Sequence, residues 1–372
     1  MIRQGHIGRS QAILLVWYVL ATKVFLNVPS SLLSEAFSAA WLVTLGGGVV
    51  AFLGLVPAVT LMRRFEDMPL ARVLDEAGGL VLGKIASLGA SVTLLAILGV
   101  ALREFGESVT ISTLSRTPMN IIMVTFVALV GYSAYSGIES SGRLTTFLTP
   151  FLLILFGLIL FSDISDLNLR QIFPLLGPGP GRLAVSMLTR SSIYAEVMVM
   201  LILYPYLRER RDALAVATWA LALGVAVLTT TEVIISSAFG IEGSERLLFP
   251  FLQLARLSTL GRFVTRLDPL FVFLSFFAAA LSFSTVLWAA VTHLAEALRL
   301  KDHRPLIAPI SAVVVAGGLL PRCLLNVIDI SFGVIYMWAW IPLVLLPGLF
   351  LPLAVLRGKK GTATAGPGGG RR

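Results

Sequence analysis

The chain has 372 residues, of which 57% are hydrophobic and only 13% charged, with a formal net charge of +9. A soluble domain carries roughly 25% charged residues because its surface faces water, so this composition excludes a soluble core of any size. The positive balance reads as cytoplasmic loops rich in Lys and Arg, not as a nucleic-acid surface.

Apolar runs of about 20 residues recur along the sequence, each long enough to cross a hydrocarbon core of about 30 Å. In lipid such a run must satisfy its own backbone groups, and with no barrel-like alternation the solution is helix. Ten spans are expected, at 11–30, 38–62, 82–110, 118–137, 142–162, 184–207, 213–238, 268–298, 305–325 and 331–356. The fold class is an all-α membrane protein of ten transmembrane helices. Residues 1–10 read as a cytoplasmic N-terminus, 11–356 as one transmembrane domain and 357–372 as a disordered basic tail rich in glycine. The two termini, Arg143 and the connections 63–81, 208–212 and 299–304 hold most of the Lys and Arg, which puts both termini on the cytoplasmic side.

Taken in order, the first span carries Lys23 at mid-depth in VLATKVFLNVP, followed by Asn27 and Pro29. An ionisable residue there costs several kcal/mol unless paired or hydrated, so it marks a functional position. The alternative is a lysine that snorkels to the interface. A helix opened at the small residues Ala21 and Thr22 would offer backbone groups to a ligand. Residues 63–81 read as an amphipathic cytoplasmic helix. At the end of the third span Arg103 and Glu107 stand at i,i+4 spacing, a sufficient structural reason for both. Residues 163–183 alternate apolar and polar residues and end in a Gly-Pro run.

The sixth span, LTRSSIYAEVMVMLILYPYL, crowds Arg190, Ser191, Ser192, Tyr194 and Glu196 into one stretch. Polar clusters in an otherwise apolar helix are where discontinuous transporter helices unwind. The alternative is a helix that begins near residue 191, with Arg190 at the headgroups. In the seventh span Glu232 follows three threonines, and Ser282 and Ser284 polarise the eighth; such hydroxyls more often bond neighbouring helices than ligands. Residues 241–267 set Leu247, Phe251, Leu254 and Leu257 at helical spacing opposite Arg246, Arg256 and Arg262. That pattern fits a helix lying on the surface or plugging an outer vestibule.

Ten spans divide as five plus five, which makes the first and sixth equivalent members of two inverted repeats. Interrupted segments at corresponding places point to a binding site, and Lys23 and Glu196 then carry opposite charges at related positions. The expectation is that they meet, directly or through the ammonium and carboxylate of a ligand. The lone Cys323 excludes an intramolecular disulfide, and no Walker loop, metal-ligand cluster, Gly-x-Ser-x-Gly elbow or HExxH motif occurs. No catalysis, cofactor or bound metal is expected.

At these residues the chain resembles the B subunits of spore germinant receptors (the GerAB family), which belong to the amino acid–polyamine–organocation superfamily. The resemblance runs through FLNVP (Phe25 to Pro29), AAWL (Ala39 to Leu42), LREFGES with LSRTP (Leu114 to Pro118), SGIESSGR (Ser136 to Arg143), IFPLLGPGPG, YAEV and FVTRLDPLFV. It implies a LeuT-like fold with a small-molecule site between broken first and sixth helices, lined also by the third and eighth. Carried over by position, the lining is Ala21, Thr22, Leu94, Leu95, Ser191, Ser192, Tyr194, Ser284 and Trp288, with Lys23 and Glu196 as charged poles. Relatives usually have a Gly-containing segment where this chain has Ala-Thr-Lys, and Lys23 could stand in for a coupling cation. The implied ligand is an amino acid or similar germinant, and the implied setting is the lipid of a spore inner membrane beside receptor A and C subunits. A proton-coupled amino acid permease of the same fold is the alternative, and a channel a third, although no filter-like loop or ring of charges supports it.

Overall fold

A computed structural model describes residues 5–65, 68–162, 167–244, 246–258 and 266–359. The described chain is helical throughout, apart from a single parallel bridge between Ile7 and Leu207. In that bridge the Ile7 amide donates to the Tyr206 carbonyl at 2.9 Å and the Arg208 amide to the Ile7 carbonyl at 3.0 Å.

The first segment is not one rod. Helix α1 (Arg9–Ala21) tightens into a 3-10 turn at Thr22–Phe25, Leu26 is extended, and α2 (Val28–Ala36) restarts the helix. The cause is Pro29, which cannot donate to the Phe25 carbonyl and would clash with it in a continuous helix, yet suits a first turn. Phe37, at φ 52°, then turns the chain into α3 (Ala40–Arg64). The expected amphipathic helix after the second span is α4 (Leu70–Gly78), which buries Leu70, Val73, Leu74 and Ala77.

Three long helices follow: α5 (Leu80–Ser112), α6 (Met119–Ser136) and α7 (Ile138–Phe161). At 33 residues α5 is about 50 Å long, more than the hydrocarbon core requires. The sixth segment is α8 (Pro180–Arg190), a 3-10 stretch at Ser191–Met198 and α9 (Val199–Leu203). Ser191 and Ser192 donate to the carbonyls of Leu188 and Thr189, three residues back, at 2.7 and 2.9 Å. Such back-bonding competes with the α-helical ladder and explains why the tight turn sits here.

Next come α10 (Ala213–Phe239), the short α11 (Ile241–Ser244), α12 (Pro250–Leu257) and α13 (Asp268–Ala297). Helix α13 packs extensively on α5 to form the centre of the bundle. The chain ends with α14 (Arg304–Leu319), α15 (Leu324–Ile330), α16 (Tyr336–Trp338) and α17 (Leu346–Leu356), the last three joined by π-helical turns. Between α14 and the run from Leu324 to Trp338 the axis bends by 111°.

Among the described residues seven helices are long and apolar enough to cross a membrane, or eight if the bent pair is one span. The count falls short of the ten expected spans for a local reason. The first ends at its break after 13 residues of α1, the ninth, α14, has only 16 residues, and the last is divided by π-helical turns. Of the expected tail, residues 360–372 lie outside the described residues, and Arg357 donates to the Ala77 carbonyl at the end of α4, at 3.1 Å.

Close helix approaches depend on glycine. On α3 a side chain at Gly46 would meet Met187, at Gly47 the Ser191 backbone, and at Gly48 Val225 of α10. The triplet therefore lets α3 lie against both the sixth segment and α10. At Gly318 of α14 a Cβ would stand 2.7 Å from the Gly99 carbonyl oxygen of α5.

Candidate functional site

The two breaks face each other. Lys23, in the 3-10 turn that ends α1, and Glu196, in the 3-10 stretch that follows α8, form an ion pair at 2.5 Å, and both are buried. The Lys23 ammonium also donates to the Ile193 carbonyl and sits 5.3 Å from the centre of the Tyr336 ring. A 3-10 turn makes poorer backbone bonds than an α-helix, and here the Ile193 carbonyl is directed to a side chain 170 residues away. The lysine is thus held by a carboxylate, a carbonyl and an aromatic face, a set that satisfies a buried ammonium. Snorkelling is not needed.

A small cavity of ≈ 20 Å³ adjoins the pair, walled by Val19, Thr22, Lys23, Leu26, Ile97, Leu98, Ala101, Glu196, Ser282, Phe283, Val286 and Tyr336. It holds about one water and nothing larger. A second cavity of ≈ 20 Å³ shares Thr22 and opens on the other flank of the first segment, among Trp17, Tyr18, Ala21, Phe25, Phe156 and Ala278. Thr22 spans the two and donates to the Tyr18 carbonyl at 2.6 Å. The larger depressions lie elsewhere: a basic cleft with Arg63, Arg208, Arg210 and Arg211, and an apolar groove between α6 and α14.

The sequence-derived residues fall into two groups. Ala21, Thr22, Lys23, Ser191, Ser192, Tyr194 and Glu196 all lie on the two breaks and are buried. Of the eleven, Thr22, Lys23 and Glu196 line the cavity beside the pair, whereas Ala21, Ser191, Ser192, Tyr194, Leu94, Leu95, Ser284 and Trp288 do not. The third helix presents Ile97, Leu98 and Ala101 instead, and the eighth presents Ser282, Phe283 and Val286. Ser284 donates to the Leu281 carbonyl, and Trp288 packs edge-on to Tyr206 at 5.3 Å.

Sequence reasoning missed three supports. Glu104 of α5 accepts from the Asn27 amide, freed by the break, at 3.1 Å, and from Ser331 at 3.0 Å. Glu35 of α2 pairs with Arg190 at 2.5 Å, and Arg190 also donates to the Phe332 carbonyl. Tyr336 covers the pair, and its own carbonyl competes with that of Thr189 for the one hydroxyl hydrogen of Ser192. Asn27 and Ser30 further donate to the carbonyls of Leu248 and Leu247. The α12 region thereby caps the first break, with Phe251 against Phe25 at 5.5 Å. Leu257, expected on the same buried face, is exposed. The Phe25 contact lies at the N-terminal turn, so the helix ends with Leu257 beyond its cover.

The sequence profile of the spore germination proteins matches residues 6–320. The chain belongs to the spore germination protein family. Relatives in Bacillus subtilis (strain 168) include Spore germination protein A2, 23% identical over 65% of this chain and 67% of its own length. Spore germination protein KB is 23% identical over 70% of this chain and 71% of its own. Among solved structures, MhsT in complex with L-phenylalanine superposes with a TM-score of 0.66 at 14% identity, over 98% of this chain and 94% of that one. Mhp1, a nucleobase-cation-symport-1 family transporter in a closed conformation with bromovinylhydantoin bound, superposes with a TM-score of 0.67 at 14% identity, over 96% and 79%. The fold of this family member is that of LeuT-like proteins, and the chain is a multi-pass membrane protein.

Proposed function

We propose that this spore germination protein is the membrane subunit of a germinant receptor, and that it binds an amino acid or similar nutrient between its two broken helices. The observation that carries the reading is the buried Lys23–Glu196 pair at facing breaks of the first and sixth segments. An amino acid bears the same two charges. Its carboxylate can take Lys23 and its ammonium Glu196, exchanging one satisfied pair for two. The L-phenylalanine complex of the structural neighbour MhsT supports this ligand class. The ligand pocket would comprise Thr22, Lys23, Ser192, Tyr194 and Glu196 with Ile97, Ala101, Ser282 and Tyr336, and Leu94, Leu95, Ser284 and Trp288 would join only on opening.

In the same reading the bundle is ten spans in two inverted sets of five. The broken first segment, α3, α5, α6 and α7 correspond in order to the broken sixth segment, α10, α13, α14 and the run 324–356. Both termini are cytoplasmic, in a spore inner membrane, beside receptor A and C subunits. Ligand binding acts as a signal only if it favours one of two states of the bundle.

The test is a thermal-shift screen of the common amino acids against the detergent-purified full chain and its Lys23→Met variant. At 100 times its Kd a ligand stabilises the wild type by about 2.7 kcal/mol. Stabilisation by at least one amino acid, lost in Lys23→Met, is expected; a wild type that no amino acid stabilises overturns the reading. The likeness to the transporter Mhp1 favours one other assignment, a proton-coupled amino acid permease that works alone. Saturable uptake of the stabilising amino acid by the purified chain in vesicles would decide for it.

A further inference from the structure

A second buried carboxyl lies away from the ion pair. Glu232, on α10, is fully buried in the interior of the bundle. Its Oε2 lies 2.5 Å from the Thr44 hydroxyl of α3, and its Oε1 has no hydrogen-bond partner. Among the described residues it makes no ion pair: Lys23 is held by Glu196 and Arg190 by Glu35. Two buried acids nearer the breaks differ. Both oxygens of Glu104 accept hydrogen bonds, and Glu196 faces an ammonium.

Counting hydrogens shows what Glu232 lacks. The Thr44 hydroxyl has one hydrogen but two acceptors, Glu232 Oε2 and the Ala40 carbonyl at 3.2 Å. A carboxylate offers no hydrogen and leaves one of these contacts empty, while standing as an unpaired anion in apolar surroundings. A carboxylic acid removes both difficulties. It donates to Thr44 Oγ1, and Thr44 donates to Ala40. The unpartnered Oε1 then carries no formal charge.

We propose that Glu232 is a proton-binding site, with the proton on Oε2 shared toward Thr44. The position gives it a consequence. The Thr44 carbonyl also accepts from the hydroxyl of Tyr194, at 3.1 Å, and Tyr194 stands two residues before Glu196 in the same 3-10 stretch. Tyr194 is the titratable side chain that the sixth segment brings to this cluster, and α3 contributes Thr44. The proton therefore sits across one residue of α3 from the wall of the candidate pocket. Any coupling between proton and ligand rests on the receptor or permease reading above; the proton site itself does not.

The experiment is an infrared comparison of the full-length protein in lipid nanodiscs at neutral pH. The wild-type minus Glu232→Gln difference spectrum should contain the carbonyl stretch of a protonated carboxylic acid, shifted down in D2O. Thr44→Val should move that band to higher frequency by removing its hydrogen bond. A difference spectrum with only carboxylate bands overturns the proposal. Should Glu232→Gln fail to fold, the wild-type minus Thr44→Val spectrum decides by itself. A shifted acid band supports the site, and an unchanged acid region overturns it. No germinant enters the measurement, so its outcome stands apart from that of the amino acid screen.

Discussion

At Lys23 and Glu196 each charge is tolerable only because the other is present. Removing one partner of a buried pair strands a charge and costs about 3–5 kcal/mol, whereas replacing both by neutral groups of similar shape is close to neutral. Lys23→Met and Glu196→Gln should each destabilise the purified protein by that order, and the double variant should recover most of the loss. Thermal unfolding in one detergent measures all four corners of the cycle. Additive losses would mean that each residue is held by something other than its partner. Glu104 gives a second case. Both its oxygens accept, one of them from a backbone amide that can only donate, so Glu104→Leu strands the buried Asn27 amide and should cost about 1–3 kcal/mol by the same measurement. The two acids differ in how visible they are. Glu196 stands out in an apolar run and has an opposite charge in the corresponding segment. Glu104 is hidden between Arg103 and Glu107, whose i,i+4 pair forms at 2.8 Å and accounts for the local charge cluster. Its partners lie 77 and 227 residues away, a distance no local spacing reports.

Helices were the easier level to read, because an apolar run of fixed length has one solution in lipid. Pro29 and the Ser191-Ser192 pair mark the breaks through backbone chemistry that local sequence carries. The interruptions of the last segment are unevenly legible: the π-helical turn at Ser331–Ile335 carries only Gly333 as a signal, whereas Pro342 stands inside the turn at Ile341–Leu345 and is a breaker that the reading of 331–356 as one continuous span passes over. The positions of Leu94, Leu95, Ser284 and Trp288 illustrate the same limit. Resemblance points to a helix, whereas a shift of a few residues along it decides which face turns inward. Helix contacts also depend on residues that carry no chemistry. A methyl group at Gly318 would stand 2.7 Å from both the Gly99 oxygen and Met123. Gly318→Ala should therefore cost about 1–3 kcal/mol through overpacking, seen as a lower unfolding temperature, whereas alanine at Gly317, which has open space, should not. Equal effects at the two glycines would remove the packing explanation.

For the whole molecule, the cavity beside the ion pair is too small for an amino acid, so in the function proposed above the structure is a closed state and binding would require the two broken segments to part. The closure has an identifiable latch. Lys23 joins the first segment to the sixth through Glu196 and Ile193, and to the last through Tyr336. Arg190–Glu35 makes a further link between the same two segments. If the ion pair is the main latch, cutting it shifts the population toward open forms in which the stranded Glu196 is hydrated. Each 1.4 kcal/mol corresponds to about tenfold in population, so losing about 3 kcal/mol should raise the open fraction by about 10²-fold. A reporter can be placed at Thr22, which belongs to both small cavities. In a Cys323→Ser background, Thr22→Cys should react slowly with a membrane-impermeant thiol reagent. Adding Lys23→Met should speed the reaction by up to that factor, and Lys23→Met with Glu196→Gln should return it toward the slow rate. An Arg190→Gln variant in the same background reports the second link separately. If Lys23→Met leaves the rate unchanged while Arg190→Gln raises it, closure is held at Arg190–Glu35, and the buried pair serves the ligand alone.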